Sequence, residues 1–265
     1  MKKIILQGLL GILLFTSIWF ILRQVNWLSL FKIEEISTDS EEKLGEILWG
    51  IFKQNQTENK DASVIKSVDS LLVRLCIYNN IDRKAIKLHV IDSEEVNAFA
   101  LPDGHLVVYS KLITEAENPE ELCGVIGHEL AHIELNHVIK KLLREIGLSA
   151  LIGITTGGGG AEVTKEAIKL MTSTAFDREL EKEADLKAVE YLSNSKIPCE
   201  PFANFLFRLS EYENDSQKYF SWISTHPESK QRAEYIIQMC QKNKMKNETV
   251  LDSVSWKELQ YNLSH

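Results

Sequence analysis

The sequence lacks an excess of positive charge and has no basic patch interleaved with aromatic residues. Among its 265 residues, 30 lysines and arginines stand against 38 aspartates and glutamates, so the net charge is −8. A surface that binds nucleic acid needs a basic excess to neutralise phosphates. The composition therefore argues against a nucleic-acid partner.

Cysteine is also scarce, and the four cysteines have no C-x-x-C spacing. This argues against a metal site built from cysteine pairs. Cys76 and Cys123 lie in apolar helical patterns that are typical of buried thiols. Cys199 and Cys240 flank the last predicted helices and can pair in an oxidising compartment, although nothing in the sequence requires that bond.

The chain shows no internal repeat and has one long apolar run, which extends from residue 4 to residue 22. Nineteen helical residues span roughly the 30 Å hydrocarbon core of a bilayer. No small-x-small cleavage site ends the run, so we expect an uncleaved membrane anchor over residues 1–23 rather than a signal peptide. Acidic residues dominate after Lys32, which favours a cytoplasmic N-terminus and an extracytoplasmic catalytic domain, periplasmic if the source is bacterial. Secretion after cleavage is the alternative.

Hydrophobic periodicity organises the remainder of the chain into a predicted linker over residues 24–40, one domain over residues 41–245 and a polar tail over residues 246–265. Helical spacing predicts two helices before a short β region. That β region contains about three strands, with a tight turn at Pro102-Asp103-Gly104. The chain is predicted to be helical from Asn118 onward, because an N-cap Asn followed by Pro is a good helix start, and the first of these helices is expected to run toward Ile146. The sequence thus predicts an α+β fold that is mainly helical.

The segment His128-Glu129-Leu130-Ala131-His132 carries the clearest chemical signal. Two histidines four residues apart share one face of a helix and can hold a zinc ion together. The intervening Glu129 can accept a proton from a metal-bound water whose pKa the zinc lowers toward neutrality. The sequence therefore predicts a zinc hydrolase, with one Zn²⁺ per chain.

A catalytic zinc usually takes a third protein ligand. His137 follows His132 by five residues, about 140° round a continuous helix, so we expect it to point away and to be structural. The acidic run after Asp177 is the better source, because Glu181 and Asp185 share a helical face. Helical geometry alone leaves Glu179 and Glu183 open as well, and a solvated charge run is the ordinary alternative.

Four ordered segments resemble metallopeptidase family forty-eight. They are the His-Glu-x-x-His segment, Arg178-x-x-Glu181-x-Glu183-Ala184-Asp185, Asn97-Ala98-Phe99-Ala100-Leu101-Pro102-Asp103-Gly104, and Thr225-His226-Pro227 with Arg232. The resemblance implies a zincin-type (gluzincin) catalytic domain with an active-site helix. The sequence departs from the family pattern at Asp177, at the Pro102-Asp103-Gly104 turn and at Glu228, and none of these is a ligand position.

The resemblance also implies roles for individual residues. Glu181 becomes the third zinc ligand, and Asp185 orients a ligand histidine. His226 lies near the metal, where it blocks the site in a latent state or steadies the oxyanion, with Arg232 beside it. The strand that carries Asn97, Ala98, Phe99 and Ala100 would bind an extended peptide substrate.

These features favour a membrane-anchored zinc endopeptidase that acts on unfolded or misassembled proteins in extracytoplasmic quality control. The first alternative is a latent or non-enzymatic, chaperone-like binder on the same scaffold. The second alternative keeps the zinc but cleaves a non-peptide amide, and a peptide-binding strand argues against it.

Overall fold

The computed structural model describes residues 38–211, 220–242 and 248–264, together with Gln7, Gly11, residues 13–17 and Trp19. The chain divides into two compact units, Met1–Ser37 and Thr38–His265. The described positions of the first unit are helical. Nowhere in the described part of the chain is a helix both long and apolar enough to cross a bilayer. The anchor predicted over residues 1–23 and the linker predicted over residues 24–40 lie mostly outside the described residues.

The second unit is mainly helical and contains a small mixed sheet. Its helices are α1 (Thr38–Phe52), α2 (Ala62–Tyr78), α3 (Ser110–Glu115), α4 (Pro119–Glu134), α5 (His137–Glu145), α6 (Leu148–Thr156), α7 (Gly160–Ser173), α8 (Arg178–Asn194), α9 (Glu200–Glu211), α10 (Phe220–Thr225), α11 (Ser229–Lys242) and α12 (Ser253–Ser264). Its strands are β1 (Thr57–Glu58), β2 (Lys87–Asp92), β3 (Ala98–Leu101) and β4 (His105–Tyr109).

The strands are arranged in the order β1-β2-β4-β3. β2 and β4 are parallel, whereas β3 and β4 form the predicted antiparallel hairpin. Asp103 and Gly104 both adopt positive φ in its turn, at 61° and 68°. A Cβ at Gly104 would lie 2.0 Å from the carbonyl oxygen of Ala85, so only glycine fits there.

Helix α4 is the centre of the fold, and it packs against α2, α8, α9 and β3. Its start agrees with the prediction, because the Asn118 side chain accepts a hydrogen bond from the backbone N–H of Glu121, and Pro119 opens the helix. Nearly every residue from Pro119 to His132 is buried. A Cβ at Gly124 would lie 2.3 Å from the Cβ of Phe202, so glycine there permits the close approach of α9.

Two regions differ from the sequence-based expectation. The long helix predicted after Asn118 ends at Glu134, Asn136 adopts a left-handed conformation with φ of 55°, and α5 begins at the next residue. The residues predicted to be a polar tail include α12, whose Trp256 and Leu259 are buried in the core. A disulfide joins Cys199 to Cys240, while Cys76 and Cys123 are buried free thiols.

Candidate metal centre

Helix α4 places His128, Glu129 and His132 in the interior. The two histidines lie one turn apart, and their Nε2 atoms are 3.0 Å from each other. All three side chains are fully buried. The spacing of four residues thus brings two imidazole nitrogens to one point, as the helical repeat requires.

Helix α8 brings Glu181 to the same point. Its Oε1 lies 3.3 Å from Nε2 of His132, and its Oε2 lies 3.6 Å from Nε2 of His128. Glu179 and Glu183 are exposed, so among the four acidic residues left open by the helical spacing only Glu181 and Asp185 face inward.

His226 follows the end of α10 and completes the cluster. Its Nδ1 lies 3.0 Å from Oε1 of Glu181 and 3.3 Å from Nε2 of His128. Its Nε2 lies 3.2 Å from Oε1 of Glu129. His226 therefore stands between His128 and Glu181 on one side and the carboxylate of Glu129 on the other.

Asp185 and Arg232 lie directly behind the cluster. Asp185 Oδ1 is 2.9 Å from Nδ1 of His128, and the Arg232 guanidinium donates to both Asp185 oxygens at 2.8 and 2.7 Å. Arg232 Nη1 also lies 2.6 Å from Oε2 of Glu181. Tyr235 donates a further hydrogen bond to Asp185. One arginine thus links the carboxylate beside His128 to the carboxylate within the cluster.

The charges in this interior offset its low polarity. Burial favours the neutral form of each carboxyl group, but the charges of Arg232 and His128 hold the pKa of Asp185 at about 2. Burial also acts to raise the pKa of Glu181. The charges of His226 and Arg232 outweigh it and hold that pKa well below its usual value. Both carboxylates are therefore ionised at neutral pH.

The two α4 histidines differ in their titration. Burial lowers the pKa of His132 to about 3. Burial also acts to lower the pKa of His128, but the negative charges of Glu181 and Asp185 outweigh it and raise that pKa to about 9. A cation at the cluster would therefore compete with a proton on His128, whereas the His132 ring is already neutral.

The donor set suits a divalent metal. Ligand atoms of His128, His132, Glu181 and His226 all lie within 4.8 Å of one another. Two imidazoles and one carboxylate form a common donor set for catalytic zinc, which keeps one position for water. Both oxygens of Glu129 are buried, and apart from the contact between Oε1 and Nε2 of His226 they have no hydrogen-bond partner among the described residues. A buried carboxylate with so few partners beside such a cluster fits a group that receives a proton from water.

None of the residues predicted to bind substrate belongs to this cluster. Asn97 directly precedes β3, which carries Ala98, Phe99 and Ala100 and pairs only with β4 among the described strands. All four residues are buried, and the Oδ1 atom of Asn97 has no hydrogen-bond partner in the described part of the chain. Helices α1 and α7 pack against this strand. β3 is therefore at the edge of the sheet, but helices α1 and α7 cover it.

Two aromatic residues that were not predicted from the sequence lie at the cluster. The Phe176 ring stacks on His132 with centroids 4.1 Å apart, and the Trp222 ring lies 4.3 Å from that of His226. The Nζ atom of Lys141 lies 4.1 Å from the centroid of Phe176. A signal was present for Phe176, which is the one aromatic residue between Gly157 and Tyr191 and directly precedes the acidic run.

The expectation that His137 points away was wrong, because its Nδ1 lies 3.1 Å from Nδ1 of His132. The prediction assumed one continuous helix. The left-handed residue Asn136 instead ends that helix and turns the chain back, so the ring returns to the cluster without becoming a ligand of it.

This arrangement of donors agrees with a match to known proteins. The sequence profile described as Peptidase family M48 covers residues 62–239, a span that includes α4, β3, α8, His226 and Arg232. The chain belongs to peptidase family M48. M48 peptidases use zinc, and the buried cluster supplies the M48 domain with suitable ligands for one ion.

Three curated relatives resemble the M48 domain at moderate identity. Metalloendopeptidase OMA1, mitochondrial, of Bos taurus is 27% identical over 204 residues, which cover 70% of this chain and 39% of that protein. Metalloprotease LoiP of Escherichia coli is 29% identical over 164 residues, covering 60% of this chain and 64% of LoiP. The beta-barrel assembly-enhancing protease of Yersinia pestis is 23% identical over 204 residues, covering 72% and 42%. The chain thus spans less than two thirds of the length of each relative.

Proposed function

We propose that this M48 chain is a zinc-dependent endopeptidase. The observation that carries the proposal is the convergence of His128, His132 and Glu181 beside the buried carboxylate of Glu129. Three relatives with the names of proteases support the same reaction. The proposed ligands of the single ion are the two imidazole Nε2 atoms and the Glu181 carboxylate.

Each residue has a role that follows from its contacts. A bound zinc ion would act as a Lewis acid and make water acidic enough to lose a proton near neutral pH. His226 and the α4 histidines lower the pKa of Glu129 despite its burial, so this carboxylate is ionised at neutral pH. In that form Glu129 accepts a proton from the attacking water. It then returns that proton to the nitrogen of the departing amine. Asp185 orients His128 through the contact with Nδ1.

His226 and Arg232 are proposed to control the charge around the reacting carbonyl. Arg232 contacts Glu181 and Asp185, and we propose that its positive charge helps to stabilise an oxyanion that develops beside the cluster. His226 lies among the ligand atoms in the described arrangement. We propose that it blocks the ligand cluster in this state and turns toward the oxyanion when substrate enters.

We propose that the substrate is an extended segment of an unfolded or misassembled protein, bound along β3 at residues 97–100. β3 lies at the end of the strand order and pairs on one side only among the described strands, which supports strand addition. Because that strand and the cluster are both buried, substrate entry requires a change in the cover. Helix α7 packs against β3 and against α10, the helix that ends directly before His226, and we propose that α7 moves when substrate enters.

The apolar run over residues 4–22 supports a proposed single-pass anchor, with the M48 domain of residues 41–245 on the extracytoplasmic side. The name of one relative refers to β-barrel assembly, and on that basis we propose a role in extracytoplasmic protein quality control. Fusion of a reporter to residue 40 in a bacterial host would test this orientation. Reporter activity on the cytoplasmic side contradicts it.

Substitution of the proton acceptor tests the proposed reaction. Glu129→Gln keeps the shape of the side chain but removes its basicity, so cleavage of denatured casein should fall by at least about a hundredfold. Bound zinc should remain near one ion per chain. Glu179→Gln, an exposed amide substitution on α8, is the matched control and should retain full activity. Undiminished cleavage by Glu129→Gln would contradict the proposed reaction.

The covered edge strand and the position of His226 also favour the second candidate, a latent or chaperone-like binder. His226→Ala separates the two. Increased casein cleavage in this variant indicates a latent peptidase, whereas binding of casein without cleavage by both forms, each loaded with zinc, indicates a binder.

A further inference from the structure

Three side chains in a row connect the ligand cluster to the surface of the M48 domain. Nδ1 of His132 lies 3.1 Å from Nδ1 of His137, and Nε2 of His137 lies 3.2 Å from Oε2 of Glu183. His132 and His137 are fully buried, whereas the Glu183 side chain is 53% exposed. A buried ring therefore stands between a proposed ligand and a solvated carboxylate.

The inner contact restricts where the proton of His132 can reside. The Nε2 atom of this ring faces the cluster, 3.0 Å from Nε2 of His128 and 3.3 Å from Oε1 of Glu181. An imidazole nitrogen that binds a metal carries no proton. The neutral ring then holds its proton on Nδ1, and the only direction left for the inner hydrogen bond is donation from His132 to His137.

The outer contact follows from the inner one. If Nδ1 of His137 accepts, the single proton of that neutral ring is on Nε2. Nε2–H then donates to Glu183, and an ionised carboxylate can only accept. The direction of both hydrogen bonds is thus consistent from the surface to the ligand, with no donor facing a donor.

We propose that His137 and Glu183 are positioning residues that hold His132 as the Nδ1–H tautomer and aim its Nε2 atom at the metal. Neither residue belongs to the ligand cluster, so both act through His132. The proposal rests on the zinc site of the proposed function but not on peptide hydrolysis.

Zinc affinity of the full chain, measured by competition with a chromogenic chelator, provides the first test. We expect His137→Leu to lower that affinity about 10- to 100-fold, the usual effect of losing a partner of a ligand histidine. His137→Asn restores an acceptor oxygen close to the position of Nδ1 and should recover most of the loss. Glu183→Gln should have a smaller effect than His137→Leu, and Glu179→Gln should have none.

Equal losses in the leucine and asparagine variants would mean that His137 only fills space, and they would overturn the proposal. Unchanged affinity in His137→Leu would overturn it as well. Absence of zinc binding by the unmodified chain would instead contradict the proposed function, so the two failures are distinguishable.

Nitrogen-15 NMR of labelled histidines provides a second test that needs no destabilising variant. In the zinc-loaded full chain, His132 should give the Nδ1–H pattern and His137 the Nε2–H pattern, with the His137 signals identified by their loss in His137→Asn. A proton on Nδ1 of His137 would overturn the proposal even if the leucine variant did not fold.

Discussion

His128 and His132 stand one turn apart on α4, yet their rings are held in different ways. Behind His128 lies Asp185, which is buried and receives hydrogen bonds from Arg232 and Tyr235. Behind His132 lies His137, and the His132 ring is stacked on Phe176. The first environment is ionic and closed, whereas the second is aromatic and leads to an exposed carboxylate.

This difference separates two tasks of a ligand environment. The ionic side fixes His128 strongly but also raises its pKa to about 9 through Glu181 and Asp185, so a proton opposes the metal there. The aromatic side keeps His132 neutral, with a pKa that burial lowers to about 3. One histidine therefore combines strong orientation with competition by a proton, and the other avoids that competition.

The largest expected effect is on the ionic side. Asp185→Ala leaves the buried Arg232 without its main partner and should reduce the free energy of unfolding by about 3–5 kcal/mol. Urea denaturation in the presence of a chelator measures this loss without the contribution of zinc. The matched substitution on the other side, Glu183→Ala, removes an exposed carboxylate and should change stability by no more than about 0.5 kcal/mol. Similar losses of unfolding free energy in both variants would contradict the difference between the two sides.

The second expected effect is the pH dependence of zinc binding. Because the pKa of His128 is raised to about 9, the free protein carries a proton there at neutral pH, and zinc must displace it. The affinity should therefore fall about tenfold for each pH unit below pH 9, down to pH 7. His132 adds nothing in this window, since its pKa is about 3. Chelator competition at several pH values measures the slope, and Asp185→Asn should make it shallower.

The smallest expected effect concerns the aromatic side. Phe176→Leu removes the stacking on His132 but retains most of the buried volume, so it should destabilise the protein by about 1–2 kcal/mol. Phe207→Leu, on the exposed face of α9, is the control and should stay within about 0.5 kcal/mol. Thermal unfolding of both variants provides the measurement. An unaffected Phe176→Leu protein would show that stacking contributes little to the environment of His132.

Local patterns in the sequence, such as helical spacing and turn residues, predicted the parts of the molecule that depend on local geometry. The spacing of His128 and His132 predicted a shared helix face, and the Asp103-Gly104 turn predicted the β3–β4 hairpin, which the strand pairing confirms. Periodicity left four acidic residues open, and only the resemblance to a family selected Glu181.

Contacts between distant segments could not be predicted from local sequence patterns. The return of His137 depends on one left-handed residue, Asn136, that no periodic pattern reveals. Phe176, which lies between α7 and α8, and Trp222, which lies on α10, reach the cluster because of how distant segments pack. Part of the cover over β3 comes from α7, more than 50 residues further along the chain. The burial of α12 depends on Trp256, which lies among mostly polar residues.

The disulfide between Cys199 and Cys240 closes a ring of the backbone that contains His226 and Arg232. A single cut anywhere within that ring would leave both residues covalently tied to the segment that carries Glu181 and Asp185. After such a cut the oxidised protein would migrate as one species until a reductant is added. Chain continuity and integrity of the metal centre are therefore separable properties of this domain.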